Sequence, residues 1–311
     1  MNYDTKTYTT RDNLEIFYYH WKSPNKQPKG IVQISHGMGE HAGRYKNIAE
    51  ILQKQGYEVY ANDHRIHGKS VTSVEELGVY DGANYFDDAV EDMKEFADLI
   101  KKEHPNEKLI LFGHSMGSFF SRDYVTKYGD DVKLLVLSGT ASFIKFMGTV
   151  GLIGANVVKF FKGGKPSNDV LKAMFFNEFS KKFKPNRTKV DWISSDENEV
   201  DLFDKDPLRI EDFSTKVFID IISGNKKVNE REAFKTTPKG IPIYMFAGES
   251  DPVGEMGKGV RKVAKQYKRA GIKDLTLKMY KGRHEMLNEV NKIEVEKDFI
   301  NWLNAKVEAI N

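Results

Sequence analysis

A serine between two glycines, one downstream histidine and a few loop carboxylates are the residues whose types and spacing could do chemistry. Ser115 stands in Gly113-His114-Ser115-Met116-Gly117, directly after the apolar run KLILF and before a helical pattern. A G-x-S-x-G turn between strand and helix is the arrangement of a nucleophile elbow. The serine of such a turn is held in a strained conformation, so the positions flanking it on the strand and helix must lack bulk, and Gly113 and Gly117 meet that need. A serine hydroxyl is a weak nucleophile at neutral pH and requires a base that a third group orients. After an elbow of this kind the partners follow in the order acid, then histidine. Of the eight histidines, His284 alone lies beyond Ser115, in YKGRHEML. Asp251, in the loop FAGESDPVG after an apolar run, is the preferred acid. Glu249 is a weaker rival, Asp274 comes before a strand and so at the opposite sheet edge, and Asp220 lies inside an atypical middle stretch. Negative charge developing on a carbonyl oxygen needs two backbone N–H donors. Met116, after the nucleophile, and Met38, in the loop after residues 30–35, are the candidates.

These residues need a frame that brings them to one edge. Apolar runs predict strands at 14–21, 30–37, 57–63, 108–113, 132–139, 241–248 and 275–280. Amphipathic patterns predict helices at 48–56, 87–102, 117–127, 257–270 and 289–309. Strands alternating with helices imply an α/β fold with a mostly parallel central sheet and helices on both faces. The rhythm stops after Thr140 and resumes at Ile241, so residues 1–140 and 241–311 form one core and 141–240 an inserted, mainly helical cap.

Composition narrows the class. The chain has 311 residues, 48 Lys plus Arg against 45 Asp plus Glu, and 40% apolar residues, enough for a substantial core and without the dense basic face of a nucleic-acid binder. With no cysteine, a disulfide scaffold, a cysteine-based zinc site and a cysteine nucleophile are excluded. The start MNYDTKTYTT has neither a basic nor an apolar segment of a secretory signal, and the uncharged run Phe146 to Val158 is shorter than a membrane span, so a cytoplasmic protein is expected.

The insertion is biased. Eight Phe fall between residues 143 and 183; residues 143–190 carry a net +8 and residues 191–212 a net −7. Either the two halves pack on each other, or the segment is an aromatic-lined lid whose basic lip meets anionic lipid, with transient membrane contact through 143–162. Three other patterns carry less. Gly37-Met38-Gly39-Glu40-His41-Ala42 satisfies a dinucleotide-binding fingerprint, with Asp63 ending the next strand, but would leave the elbow and its ordered partners as coincidences. The run ending Gly68-Lys69-Ser70 lacks the first glycine of a phosphate loop, which would be Asp63. His36, His41, His64 and His67 include no H-E-x-x-H zinc pattern.

At this point the chain resembles a known family. His36-Gly37-Met38-Gly39-Glu40-His41 with Arg44-Tyr45 is similar to the HGxGEHxxRY loop of monoacylglycerol lipases and bacterial lysophospholipase-like α/β-hydrolases. Asp63-His64-Arg65 through Gly68-Lys69-Ser70 resembles their DHRGHGxS segment, with Ile66 in place of the usual glycine. The elbow, Asp251-Pro252-Val253-Gly254, His284-Glu285 and the stretch 191–208 also match. The resemblance implies an α/β-hydrolase fold and a cofactor-free serine hydrolase acting on small single-chain acyl esters such as monoacylglycerol or lysophospholipid. Ser115, Asp251 and His284 would be its triad, and Met38 and Met116 its oxyanion donors. Short-chain carboxylesterases and serine peptidases share the pattern. A silent member that only binds lipid or a partner is the alternative of another class.

Overall fold

The computed structural model describes residues 3–143 and 178–310. Its centre is an eight-stranded sheet in the order β1-β2-β4-β3-β5-β6-β7-β8. The strands are β1 (Asp4–Thr9), β2 (Glu15–Trp21), β3 (Ile31–Ser35), β4 (Glu58–Asn62), β5 (Leu109–His114), β6 (Val132–Ser138), β7 (Ile243–Gly248) and β8 (Leu275–Tyr280). From β4 to β8 neighbours run parallel, while β1 and β2 join antiparallel at one edge. The fold is that of an α/β-hydrolase.

The parallel strands are apolar on both sides because both faces are covered. Along β5, Leu109 and Leu111 enter one core while Ile110 and Phe112 enter the other. β7 repeats the alternation with Ile243 and Met245 against Tyr244 and Phe246. One face is covered by α1 (Lys46–Lys54) and α8 (Lys292–Ile310), through Ile48, Leu52, Val295, Phe299 and Leu303. The other carries α2 (Tyr85–Glu103), α3 (Met116–Tyr128) and α7 (Lys258–Arg269). On α7 the buried Val260, Val263, Ala264 and Tyr267 follow the i, i+3, i+4, i+7 stripe of a half-covered helix. β1 was not among the expected strands: of its residues only Tyr8 is buried, so a polar edge strand carries no apolar signal.

Within the inserted stretch, the described elements are a helical turn at 178–181, α4 (Glu197–Asp204), α5 (Thr215–Val228) and α6 (Arg231–Thr236). α5 packs on α2 and α3 and α6 on α3, burying Val217, Phe218, Ile221 and Phe234 in the main core. A separate small cluster of Val190, Trp192, Ile193, Val200 and Phe203 forms the described roof over the sheet edge. Between the basic and acidic halves, Arg187 bonds Asp201 and lies 3.8 Å from Glu197, a contact of the kind expected if the halves pack together. Phe146, Phe160, Phe161, Phe175 and Phe176, and nearly all of the suggested membrane-contact segment 143–162, lie outside the described residues. Among the described residues no helix is long and apolar enough to cross a membrane.

Candidate active site

The chain turns back across the sheet between β3 and β5, since β4 lies on one side of β3 and β5 on the other. Such a switch point leaves a crevice beyond the strand carboxyl ends, where open α/β sheets bind ligands. Ser115 follows β5 there with φ 50° and ψ −118°, a backbone conformation rarely adopted by side-chain-bearing residues. Its amide is held by the Ser138 carbonyl at 2.9 Å and its carbonyl accepts the Ser118 amide at 2.9 Å. The elbow closes only around glycine. A Cβ on Gly113 would stand 2.4 Å from the Gly117 carbonyl oxygen, and one on Gly117 2.1 Å from that of Ser35.

His284, in the loop after β8, places Nε2 2.8 Å from Ser115 Oγ. Its Nδ1 faces Oδ1 of Asp251 at 3.0 Å, an ion-pair separation. Asp251, fully buried in the loop after β7, also accepts the Val253 amide at 2.9 Å. Burial pulls the His284 pKa down, but the carboxylates of Asp251, Glu285 and Glu40 outweigh it and carry the imidazole above its ordinary value. The rival acids are elsewhere. Glu249 is half exposed beside Arg261, Asp274 pairs with Lys306, and Asp220 accepts from the Tyr85 amide and from Lys216.

Met38 and Met116 both line the cavity with Ser115. Met116 opens α3, so its N–H belongs to the first helical turn, which has no intrahelical acceptor. The Met38 amide shares a peptide with the Gly37 carbonyl, which His36 Nδ1 contacts at 2.8 Å. The cavity measures about 920 Å³ and is walled mainly by apolar side chains, among them Phe119, Phe143, Phe179, Ile221 and Val253. Phe143 and Phe179 belong to the Phe-rich set of the insertion.

The other patterns are absorbed by structure. Asp63, where a dinucleotide-binding carboxylate would stand, is buried and accepts the amides of Ala42 at 2.7 Å and Lys69 at 2.8 Å. His36, His64 and His67 are buried against one another with their rings tilted or edge-on, and burial lowers the pKa of each, His64 to about 3 and His67 to about 4. His41 pairs with Asp206 on the insertion. No metal-ligating cluster occurs among the described residues. Ile66 has φ 64°, the left-handed conformation that a glycine would adopt freely.

Sequence reasoning gave no role to several neighbours of His284. Trp192 packs its ring 5.4 Å from the imidazole, and the His114 ring lies 4.8 Å from it. Arg44 bonds both Glu40 and Glu285. Their sequence signals were membership of matching motifs alone: the elbow for His114, the stretch 191–208 for Trp192, the HGMGEH…RY loop for Glu40 and Arg44, and the position after His284 for Glu285.

A model of the serine aminopeptidase, S33 family matches residues 26–291. Monoglyceride lipase of Mus musculus is 29% identical over 279 residues, covering 89% of this chain and 82% of that protein. A thermostable carboxyl esterase from Bacillus coagulans, solved with glycerol, superposes with a TM-score of 0.90 at 26% identity over 99% of both chains. A soluble variant of monoglyceride lipase from Saccharomyces cerevisiae, solved with a substrate analogue, shares the fold with a TM-score of 0.76 at 20% identity, over 98% of this chain and 95% of that one.

Proposed function

The chain belongs to the serine aminopeptidase, S33 family of α/β-hydrolases, and on that premise we propose that it cleaves carboxylic esters through an acyl-enzyme on Ser115. The observation that carries this reading is the 2.8 Å contact between Ser115 Oγ and His284 Nε2, on a strained elbow that lines an apolar cavity. As Oγ attacks the ester carbonyl carbon, its proton passes to Nε2, and Asp251 stabilises the resulting imidazolium from Nδ1. The carbonyl oxygen becomes an oxyanion and takes hydrogen bonds from the Met38 and Met116 amides. The tetrahedral intermediate collapses, the ester C–O bond breaks, and His284 returns the proton to the departing alcohol. Water repeats the cycle on the acyl-enzyme and releases the carboxylic acid.

Monoacylglycerol or lysophospholipid is the substrate class we favour. Each acyl methylene moved from water into an apolar cavity contributes about 0.8 kcal/mol, so a wall of Phe and aliphatic side chains rewards longer chains. The similarity to monoglyceride lipases supports the same choice. Fluorophosphonate labelling followed by an ester panel from acetyl to palmitoyl tests both levels. Labelling that Ser115→Ala abolishes, with a maximum at long acyl chains, is expected. A folded wild-type protein that fails to label would return the chain to a binding role, and a maximum at acetyl or butyryl, or on aminoacyl amides, would remove the lipid assignment.

A further inference from the structure

Two carboxylates flank the proposed machinery and share one guanidinium. Glu40 lies two residues beyond Met38, and Glu285 directly follows His284. Arg44 Nη1 donates to Glu40 Oε2 at 2.7 Å and to Glu285 Oε1 at 2.8 Å, while Nη2 donates to Glu285 Oε2 at 2.7 Å. All three side chains are nearly excluded from water. Two carboxylates against one guanidinium make one formal negative charge in surplus; burial raises the Glu40 pKa, and neutral donors oppose that. Tyr45 Oη donates to Glu40 Oε1 at 2.7 Å, the Gly37 amide to the same oxygen at 2.6 Å, and Asn288 Nδ2 to Glu285 Oε2 at 2.9 Å. A buried charged cluster contributes little net stability compared with an apolar replacement, so its presence calls for a reason other than holding the fold together.

Geometry supplies one. The Glu40 carboxylate grips the Gly37 amide, at the start of the turn that presents Met38. Glu285 is covalently next to His284, and its own amide donates to the Ile193 carbonyl at 2.7 Å, tying the histidine loop to the insertion. The guanidinium also lies 4.6 Å from the Phe203 ring of α4. The oxyanion turn follows β3 and the histidine loop follows β8, four places away in the sheet, with the nucleophile strand β5 between them. A rigid, two-pronged group bonds both loops from one point. A planar guanidinium with several fixed donors does this, whereas an ammonium does not.

We propose that Arg44, clamped between Glu40 and Glu285, is a positioning residue that sets the distance between the oxyanion turn and the His284 imidazole. Glu285 also places a negative charge beside the histidine, favouring the imidazolium that forms during attack. This inference rests on the serine-hydrolase reading above. The charged and titratable groups facing His284 are Asp251, Glu285, Glu40 and Arg44, together with His114, which burial keeps neutral with a pKa near 3. Glu285 stays ionised throughout the relevant range, because Arg44 outweighs burial and holds it down to about 2.

The test uses Arg44→Lys and Glu285→Gln in the full chain, with active sites counted by fluorophosphonate. Wild-type labelling establishes the serine-hydrolase reading independently, so its failure overturns that reading rather than this one alone. With labelling intact, Arg44→Lys is expected to lower kcat per labelled site by roughly 10- to 100-fold, the scale of a misplacement near 1 Å, with KM for p-nitrophenyl butyrate changed less than about twofold. Glu285→Gln is expected to move the acid limb of kcat/KM to lower pH by roughly half a unit. Unchanged kcat per labelled site in Arg44→Lys overturns the positioning role. A loss confined to thermal stability or to the fraction labelled, with the acid limb of Glu285→Gln unmoved, reduces the cluster to a structural one and overturns it as well. Should Arg44→Lys not fold, Glu40→Gln takes its place with the same kcat criterion.

Discussion

Gly117→Ala tests whether the elbow tolerates any side chain where α3 crosses β3. The added Cβ would stand 2.1 Å from the Ser35 carbonyl oxygen and 2.6 Å from that of His36. Both obstacles are backbone, so no rotamer change relieves them. Restoring ordinary contact at 3.4 Å requires α3 and the end of β3 to part by about 1.3 Å. Overpacking of this kind costs about 1–3 kcal/mol, and the immovable neighbours put it at the upper end. The residues displaced are His36 and Gly37, which lead into the turn carrying Met38, on one side and the start of the helix carrying Met116 on the other. A shift near 1 Å between an oxyanion donor and its nucleophile lowers kcat by about 100-fold. Gly240→Ala is the control, because nothing lies within 4 Å of its added Cβ. Thermal unfolding and steady-state hydrolysis of a p-nitrophenyl ester, normalised to fluorophosphonate-labelled sites, measure both effects. Wild-type melting and wild-type kcat in Gly117→Ala would refute the close-packing argument.

Further outcomes follow from other parts of the fold. Asp251→Asn should lower kcat by about 10⁴-fold, and with the carboxylate gone burial dominates, so the acid limb of the pH–rate profile moves down from its wild-type position above pH 6.5; an unmoved limb would place the acid elsewhere. His36, His64 and His67 are neutral when folded, so below about pH 6.5 the unfolded chain binds protons that the folded chain does not. Stability should therefore be present above that pH and fall as pH drops toward about 4, read as a declining urea midpoint that His64→Gln makes shallower; a flat midpoint over that window contradicts the cause. Ile66→Gly loses the same buried side chain as Ile66→Ala but relieves the left-handed strain, so it should be the less destabilising of the two by about 1 kcal/mol; the usual order, with alanine better, would contradict it.

Legibility in the sequence tracked how locally each feature was encoded. β3, β5, β6 and β7 are buried on both faces and so read as predominantly apolar runs, broken only by Gln33 in β3, Lys133 in β6 and the polar residues at strand ends. β1 was invisible because its backbone pairing with β2 is the reason it is a strand, and its exposed residues carry no pattern. The last helix was expected from 289 but begins at Lys292, because Glu289 is buried and used by the Ser195 and Arg283 amides. Ser115, Asp251 and His284, which the fold brings within hydrogen-bond and ion-pair distance of one another, could be proposed from the sequence because chain order and strand-end placement constrain them one at a time. The Arg44 cluster could not, because the bonds that close it, from Arg44 to Glu285, join residues 241 positions apart, and the local Glu40–Arg44 pair alone does not point to them. The insertion read as one unit for want of a strand pattern, yet its second half docks helices α5 and α6 on the core.

The described parts of that insertion reach both lips of the cleft, and this bears on how chemistry and selectivity divide. On the histidine side, Arg283 donates to the Ser194 carbonyl at 2.9 Å and bonds that of Asp191, and Ser194 Oγ donates to the Asn288 carbonyl at 2.7 Å. On the oxyanion side, the Ile210 amide donates to the Gly39 carbonyl at 3.1 Å and His41 meets Asp206 at 2.9 Å. Residues 191–210 thus brace the two loops that carry His284 and Met38, while Trp192 roofs the imidazole. Substitutions there should act on kcat as much as on KM, because moving the brace moves the groups proposed as catalytic. Substitutions of cavity residues that touch neither loop, such as Ile221 on α5, should act on chain-length preference alone. Ile221→Ala enlarges the apolar cavity without touching a loop bond, so its effect should grow with acyl length; an equal effect on acetyl and palmitoyl esters would place Ile221 outside the acyl path.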